Sequence, residues 1–233
     1  MKGMVKTVAV LCAGVVLAAW SAAAVASGGS AGISAEEAWE KLLDGNKRYV
    51  ESKMAACSQC TPSARESLTK GQKPYAIILS CSDSRLPPEI VFDKSMGEIF
   101  VIRVAGNIID PVVLGSIEYG AEHLGSPLIV VLGHERCGAV TAAVEAKGKP
   151  EGNIGSLIKA IAPAVKQARK EAAGKDKSEL VETASNDNIR LVAAAIPKKS
   201  SIISHLVKEG KVKIVMAKYD LDDGKVTKLE AKQ

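Results

Sequence analysis

Three residues of this 233-residue sequence carry the side chains of a soft metal site. Cys81 heads the run Cys81-Ser82-Asp83-Ser84-Arg85, directly after an apolar stretch. His134 and Cys137 stand at i and i+3 in Gly133-His134-Glu135-Arg136-Cys137-Gly138, directly after another. Two thiolates and one imidazole suit a tetrahedral zinc ion, and a set of three strong ligands leaves the fourth position open for water, as in a catalytic site. Asp83 and Arg85 follow Cys81 by two and four residues, so in an extended segment all three project to one side. Asp83 would accept a hydrogen bond from a metal-bound water. Arg85 would pair with Asp83, keeping the carboxylate ionised and aimed. Released from Arg85, Asp83 would be free to become the fourth ligand in a closed state. Plainer readings stand beside these: a strand-end cysteine that is only a small buried residue, a Cys81–Cys137 disulfide, and an Asp83–Arg85 salt bridge. The joint occurrence of both clusters at two strand ends favours the metal.

Positioning these groups requires a sheet. Tyr75 to Leu79, Ile99 to Val104 and Leu128 to Leu132 are nearly continuous in Ile, Val and Leu. Such runs are buried on both faces of a parallel sheet covered by helices. Val212 to Leu221 reads as a fourth strand, turning at Asp222-Asp223-Gly224 into Lys225 to Leu229, a hairpin signal. Helical patterns run from Ala38 to Val50, from Pro62 to about Gly71, and over Val112–Leu124, Ala139–Ala146, Ile154–Glu171, Ser178–Ile196 and Ser200–Val207. Ser34 and Glu37 form a capping-box pattern before the first. The fold class is α/β: a mainly parallel β-sheet with an antiparallel edge strand and helices on both faces. Ligands gather at the carboxyl ends of such strands, which is where both clusters stand.

The chain has 31 Lys and Arg against 26 Asp and Glu, dispersed and without interleaved aromatics, which gives no case for nucleic-acid binding. Lys2 and Lys6 precede an uncharged apolar run, Thr7 to Ala19, and small residues ending in Ala24-Val25-Ala26. This pattern predicts a signal peptide over residues 1–26, cleaved near Ala26-Ser27, and one exported domain over 27–233 with a periplasmic location; an uncleaved anchor is the alternative. Cys57-Ser58-Gln59-Cys60 reads as a local disulfide, with free thiols or a redox motif as alternatives. His123 and His205 lie in helical patterns without neighbouring ligands and read as surface or structural residues.

At Cys81–Arg85 and His134–Gly138 the sequence resembles the β-class carbonic anhydrases. Supporting stretches are Gly71-Gln72-Lys73-Pro74, Phe100 to Asn107 and Ser116 to Tyr119, and the resemblance runs from about Leu42 to the final hairpin. It implies reversible hydration of carbon dioxide to bicarbonate and a proton by a zinc-bound hydroxide, with one Zn²⁺ per chain. It also implies a homodimer, or a dimer of dimers, in which the N-terminal helix packs on the partner. Gln72, Phe100, Ala105 and Tyr119 would line the substrate pocket, and Gly138 would offer its N–H to bicarbonate. Some members carry a second, inhibitory bicarbonate site around a Trp three residues before the first Cys ligand. Ile78 stands there, with Arg103 and Tyr219 matching the other two residues, so that site is not expected. Competing functions are hydrolysis of carbonyl sulfide or carbon disulfide on the same fold, a non-catalytic zinc-binding protein, and a redox protein using Cys57 and Cys60.

Overall fold

The computed structural model describes residues 32–56, 60–148, 150 and 152–232. The signal-peptide expectation and Cys57 lie outside the described residues. Among the described residues no helix is long and apolar enough to cross a membrane.

The apolar runs form one five-stranded sheet in the order β2-β1-β3-β4-β5. β1 (Ala76–Ser80), β2 (Ile99–Arg103), β3 (Leu128–His134) and β4 (Lys213–Tyr219) are parallel, and β5 (Val226–Lys228) pairs antiparallel with β4. β1 and β3 lie at the centre and every residue of both is buried, as their unbroken Ile, Val and Leu content requires. β2 departs from the same expectation. It is the edge strand, half-buried from Ile99 to Ile102 and exposed at Arg103.

Helices cover both faces. On one, Ile78, Val130 and Leu132 pack with Leu42, Phe92, Val140 and Ile161. On the other, Ile77, Leu79, Ile129 and Val131 pack with Ile117, Ile189, Ile196 and Ile203. The covering helices are α1 (Ala35–Val50), α2 (Pro62–Ser67), α3 (Pro88–Val91), α4 (Pro111–Glu118), α5 (Gly138–Glu145), α6 (Ile154–Glu171), α7 (Lys177–Lys199) and α8 (Ser201–Lys208). The Ser34–Glu37 capping box forms as expected, with reciprocal bonds of 3.1 and 2.7 Å. α4 runs on into a π-turn over Tyr119–His123, and α6 passes through Pro163 without a break. The sequence patterns missed α3, a single turn opened by Pro87-Pro88.

α1 lies against its own chain. Ala38 and Leu42 are fully buried, and Asn46 donates to the Val91 and Gly224 carbonyls while accepting from the Val226 N–H. The long α7 comes so close to β3 that a Cβ on Gly133 would sit 2.5 Å from Ile189. That approach sets α7 behind the ligand-bearing end of the sheet.

Candidate metal centre

The first ligand segment begins where β1 ends. β1 and β3 are direct neighbours, Ser80 pairing with Leu132, so the chain leaving β1 at Cys81 runs beside the end of β3 at His134. Three residues on, Cys137 is the N-cap of α5, and no side-chain cap bond engages its thiol. The Cys137 carbonyl receives the Thr141 N–H and hydroxyl, which starts the helix and leaves Sγ free to face Cys81. The two sulfurs are 4.0 Å apart, and the Cys81, His134 and Cys137 ligand atoms all lie within 4.8 Å of one another. These cysteines are free thiols, so the disulfide alternative does not hold.

The donor set fits a metal ion. All three residues are buried. His134 Nδ1 is 2.8 Å from the Glu135 carbonyl, which turns Nε2 toward the sulfurs, and Nε2 is buried without a hydrogen-bond partner. A buried polar atom is ordinarily paired, so one aimed between two thiols marks a ligand position. The thiols behave as one coupled acid. Cys81 is pushed down to about 4, first by the hydrogen bond from Cys137, with His134 and the Gly106 N–H adding. The same bond, together with burial, pushes Cys137 up. One sulfur therefore ionises readily and opposes ionisation of the other, a conflict that a divalent cation removes.

Asp83 is held by Arg85 through both carboxylate oxygens: Nε to Oδ1 at 2.9 Å and Nη2 to Oδ2 at 2.8 Å, with the Arg85 N–H on Oδ1 at 3.0 Å. That fork keeps the carboxyl well below the usual carboxylate range. The Asp83 Oδ2 atom lies 3.8 Å from His134 Nε2, beside the ligand cluster. The Arg85 Nη2 group also reaches the Arg136 carbonyl at 3.4 Å, linking the two ligand segments.

The second segment is tied down from outside. Arg136 has a left-handed φ of 49°, and its guanidinium bridges Glu135 and Asp222, each at 2.8 Å. Glu135 also accepts the Leu221 N–H at 2.8 Å. The Glu135, Asp220 and Asp222 carboxylates lie close together, and Arg136 pairs with two of them, Glu135 and Asp222.

The comparisons agree with this geometry. The sequence model of the family "Carbonic anhydrase" matches residues 76–226. Carbonic anhydrase 2 of Mycobacterium tuberculosis is 40% identical over 191 residues, covering 81% of this chain and 89% of that protein. This chain belongs to the β-class carbonic anhydrases. A carbonic anhydrase of Mycolicibacterium smegmatis is 38% identical over 192 residues, covering 81% and 90%. Among solved structures, the β-carbonic anhydrase CafA of Aspergillus fumigatus has a TM-score of 0.69 at 26% identity, covering 84% of this chain and 92% of that one.

The residues that the resemblance places in the substrate pocket divide into two groups. Ala105 opens the turn that follows β2, and Gly138 is the exposed first residue of α5, next to Cys137. Gln72, Phe100 and Tyr119 are not brought to the metal cluster of their own chain. Phe100 pairs with Ile77, four residues before Cys81, which is roughly 13 Å along the strand. Tyr119 stacks near it at 6.0 Å between centroids and is 47% exposed, and Gln72 is exposed ahead of β1. Of these three, Gln72 and Tyr119 are exposed, while Phe100 is half-buried against the core on the edge strand.

Ile78 is fully buried in the core, Arg103 donates to the Cys81 and Asp83 carbonyls at 3.1 and 2.6 Å, and Tyr219 pairs with the Tyr49 hydroxyl at 3.0 Å. All three side chains are thus engaged in packing or internal bonds. His123 and His205 are exposed, with Glu122 and Glu209 as their neighbours. Cys60 is an exposed free thiol. Two groups near the site escaped the sequence reading: the Gly106 N–H donates to Cys81 Sγ at 3.2 Å, and Asn188 donates to the Gly106 carbonyl at 2.7 Å. The run Ala105-Gly106-Asn107 was a legible signal for the first, but nothing local marks Asn188.

Proposed function

We propose that this enzyme catalyses the zinc-dependent, reversible hydration of carbon dioxide to bicarbonate and a proton, with one Zn²⁺ per chain held by Cys81, His134 and Cys137. The observation that carries the reading is the convergence of three buried ligand atoms within 4.8 Å, with the Asp83–Arg85 ion pair at their side. Bound there, zinc supplies the Lewis acidity that makes water a nucleophile near neutral pH. Two thiolates weaken that acidity relative to three imidazoles, so the protein's own groups must compensate. Asp83 stays ionised, and would accept a hydrogen bond from the attacking water and fix its orientation. Arg85 holds the Asp83 carboxylate off the metal, keeping the fourth position available. The Gly138 N–H, left without an intrahelical partner at the start of α5, is free to receive a bicarbonate oxygen.

The working unit is a homodimer or a dimer of dimers. Support comes from the half-buried β2 edge and from Phe100 and Tyr119, which stand away from their own metal and are available to a second copy. The charged start, apolar run and Ala24-Val25-Ala26 support export to the periplasm with cleavage before Ser27.

The deciding experiment measures zinc content and stopped-flow carbon dioxide hydration on the mature protein. One zinc per chain with rapid hydration is expected. Zinc-replete protein without hydration, or with turnover only on carbonyl sulfide or carbon disulfide, would reject the reading. N-terminal sequencing of protein recovered from the producing cells should begin at Ser27.

A further inference from the structure

Cys81 Sγ accepts a main-chain hydrogen bond as well as facing Cys137. The donor is the Gly106 N–H, at 3.2 Å. Gly106 reaches this position only through an uncommon backbone: its φ is 72°, and Asn107 after it is also left-handed at 41°. The site is closely packed, since a Cβ on Gly106 would meet Ile161 at 2.7 Å and Ala139 at 3.3 Å. Packing alone does not set the angle of a peptide plane. The adjoining Gly106–Asn107 plane is pinned by Asn188, 2% exposed in mid-α7, which donates its Nδ2 to the Gly106 carbonyl at 2.7 Å, and the left-handed Gly106 backbone couples that plane to the one carrying its N–H.

We infer that Asn188 is a positioning residue for the metal's thiolate ligand: by holding the Gly106 carbonyl it aims the Gly106 N–H at Cys81 Sγ and so sets how much electron density Cys81 gives the metal. A hydrogen bond to a coordinated thiolate withdraws charge from sulfur, and partners of this kind typically change metal affinity or activity 10–100-fold. The direction suits this site, because two thiolates already put much negative charge on the metal, and the Gly106 N–H removes part of it. The role is purely electrostatic and geometric, with no proton or electron transferred through Asn188. The inference rests on the zinc reading above.

The test uses the full mature chain loaded with cobalt(II) or cadmium-113. In the wild-type cadmium protein, the Gly106 amide proton should show scalar coupling to cadmium through the N–H···S bond. In Asn188→Leu, which keeps the branched shape and removes the donor, that coupling should weaken or vanish. The sulfur-to-cobalt charge-transfer band should move to lower energy, and zinc affinity in chelator competition should fall about tenfold or more. Val192→Ala, a buried substitution one turn along α7 from Asn188 and packed in the core cluster that does not hold the cysteines, should lower thermal stability while leaving coupling and band in place. Absence of coupling in the wild-type protein overturns the inference even if Asn188→Leu does not fold. An unmoved band in a folded Asn188→Leu, or an equal shift in Val192→Ala, also overturns it. A wild-type protein with these spectra but no carbon dioxide hydration would instead reject the proposed function and leave the Asn188 role intact.

Discussion

Asp83 shows how much one carboxylate can be asked to do. Its bidentate bond to Arg85 keeps it ionised, so replacing it by Asn keeps the shape and loses the acceptor charge. Asp83→Asn should retain one zinc per chain and lose about 100-fold or more in hydration kcat, within the span of general acid–base contributions, as read by stopped flow with metal analysis. Cys137→Ser should lose zinc outright, because an alkoxide is not available at neutral pH to replace the thiolate; metal analysis at one zinc per chain would contradict the ligand set. The sulfur pair also predicts a proton balance. At pH 8 the metal-free pair retains a proton, because ionised Cys81 lies 4.0 Å from Cys137 and opposes its ionisation. Zinc must displace it, so affinity rises with pH, and titrating zinc into metal-free protein in weak buffer should release about one proton per chain or more. At this scale the ligands were legible, because spacing along a strand end is a local property. Asn188 was not: it acts across 82 positions of sequence, and an asparagine inside a helical pattern carries no sign of what it will touch.

Among the elements, the strands were the clearest features in the sequence and the short connections the least clear. Ile77 to Leu79 and Leu128 to Leu132 are apolar at consecutive positions, which only a strand buried on both faces tolerates. β2 has a similar composition, yet its burial was misread, because composition does not say which strand will lack a neighbour. α3 was missed because one turn is too short to show a period. The hairpin was read from Asp222-Asp223-Gly224, but its dependence on α1 was not. Asn46 satisfies three main-chain groups, on Val91 and Val226 in buried bonds and on Gly224 in a half-buried one. Asn46→Ala strands them all and should cost about 2–4 kcal/mol. For a chain of this size that lowers the melting temperature by roughly 5–10 °C in a thermal scan.

In the whole molecule, the two ends of the sheet serve different purposes. The carboxyl end gathers the candidate metal ligands, while at the unpaired edge Phe100 is half-buried and its neighbour Tyr119 is exposed. If a second copy supplies those rings, the isolated chain is an incomplete enzyme. Hydration activity per chain should therefore fall on dilution in step with dissociation measured by light scattering, and zinc content should not change. Activity that stays constant per chain below the dissociation concentration would place the whole pocket within one subunit. The α/β class and the helices on both faces were legible because each rests on runs of residues. Which copy's metal Phe100 and Tyr119 would serve depends on assembly, and a single sequence does not record it.

One further consequence concerns the order in which the protein is made. Arg136, between two ligands, is tied to Asp222, and Glu135 to the Leu221 N–H, so the β4–β5 turn braces the second ligand segment. Asp222 in that turn lies 86 residues after Arg136 in the chain. Cys81, His134 and Cys137 are all synthesised long before the brace that holds two of them. The candidate metal site is therefore braced in full only once the β4–β5 turn has been made and has folded back against it.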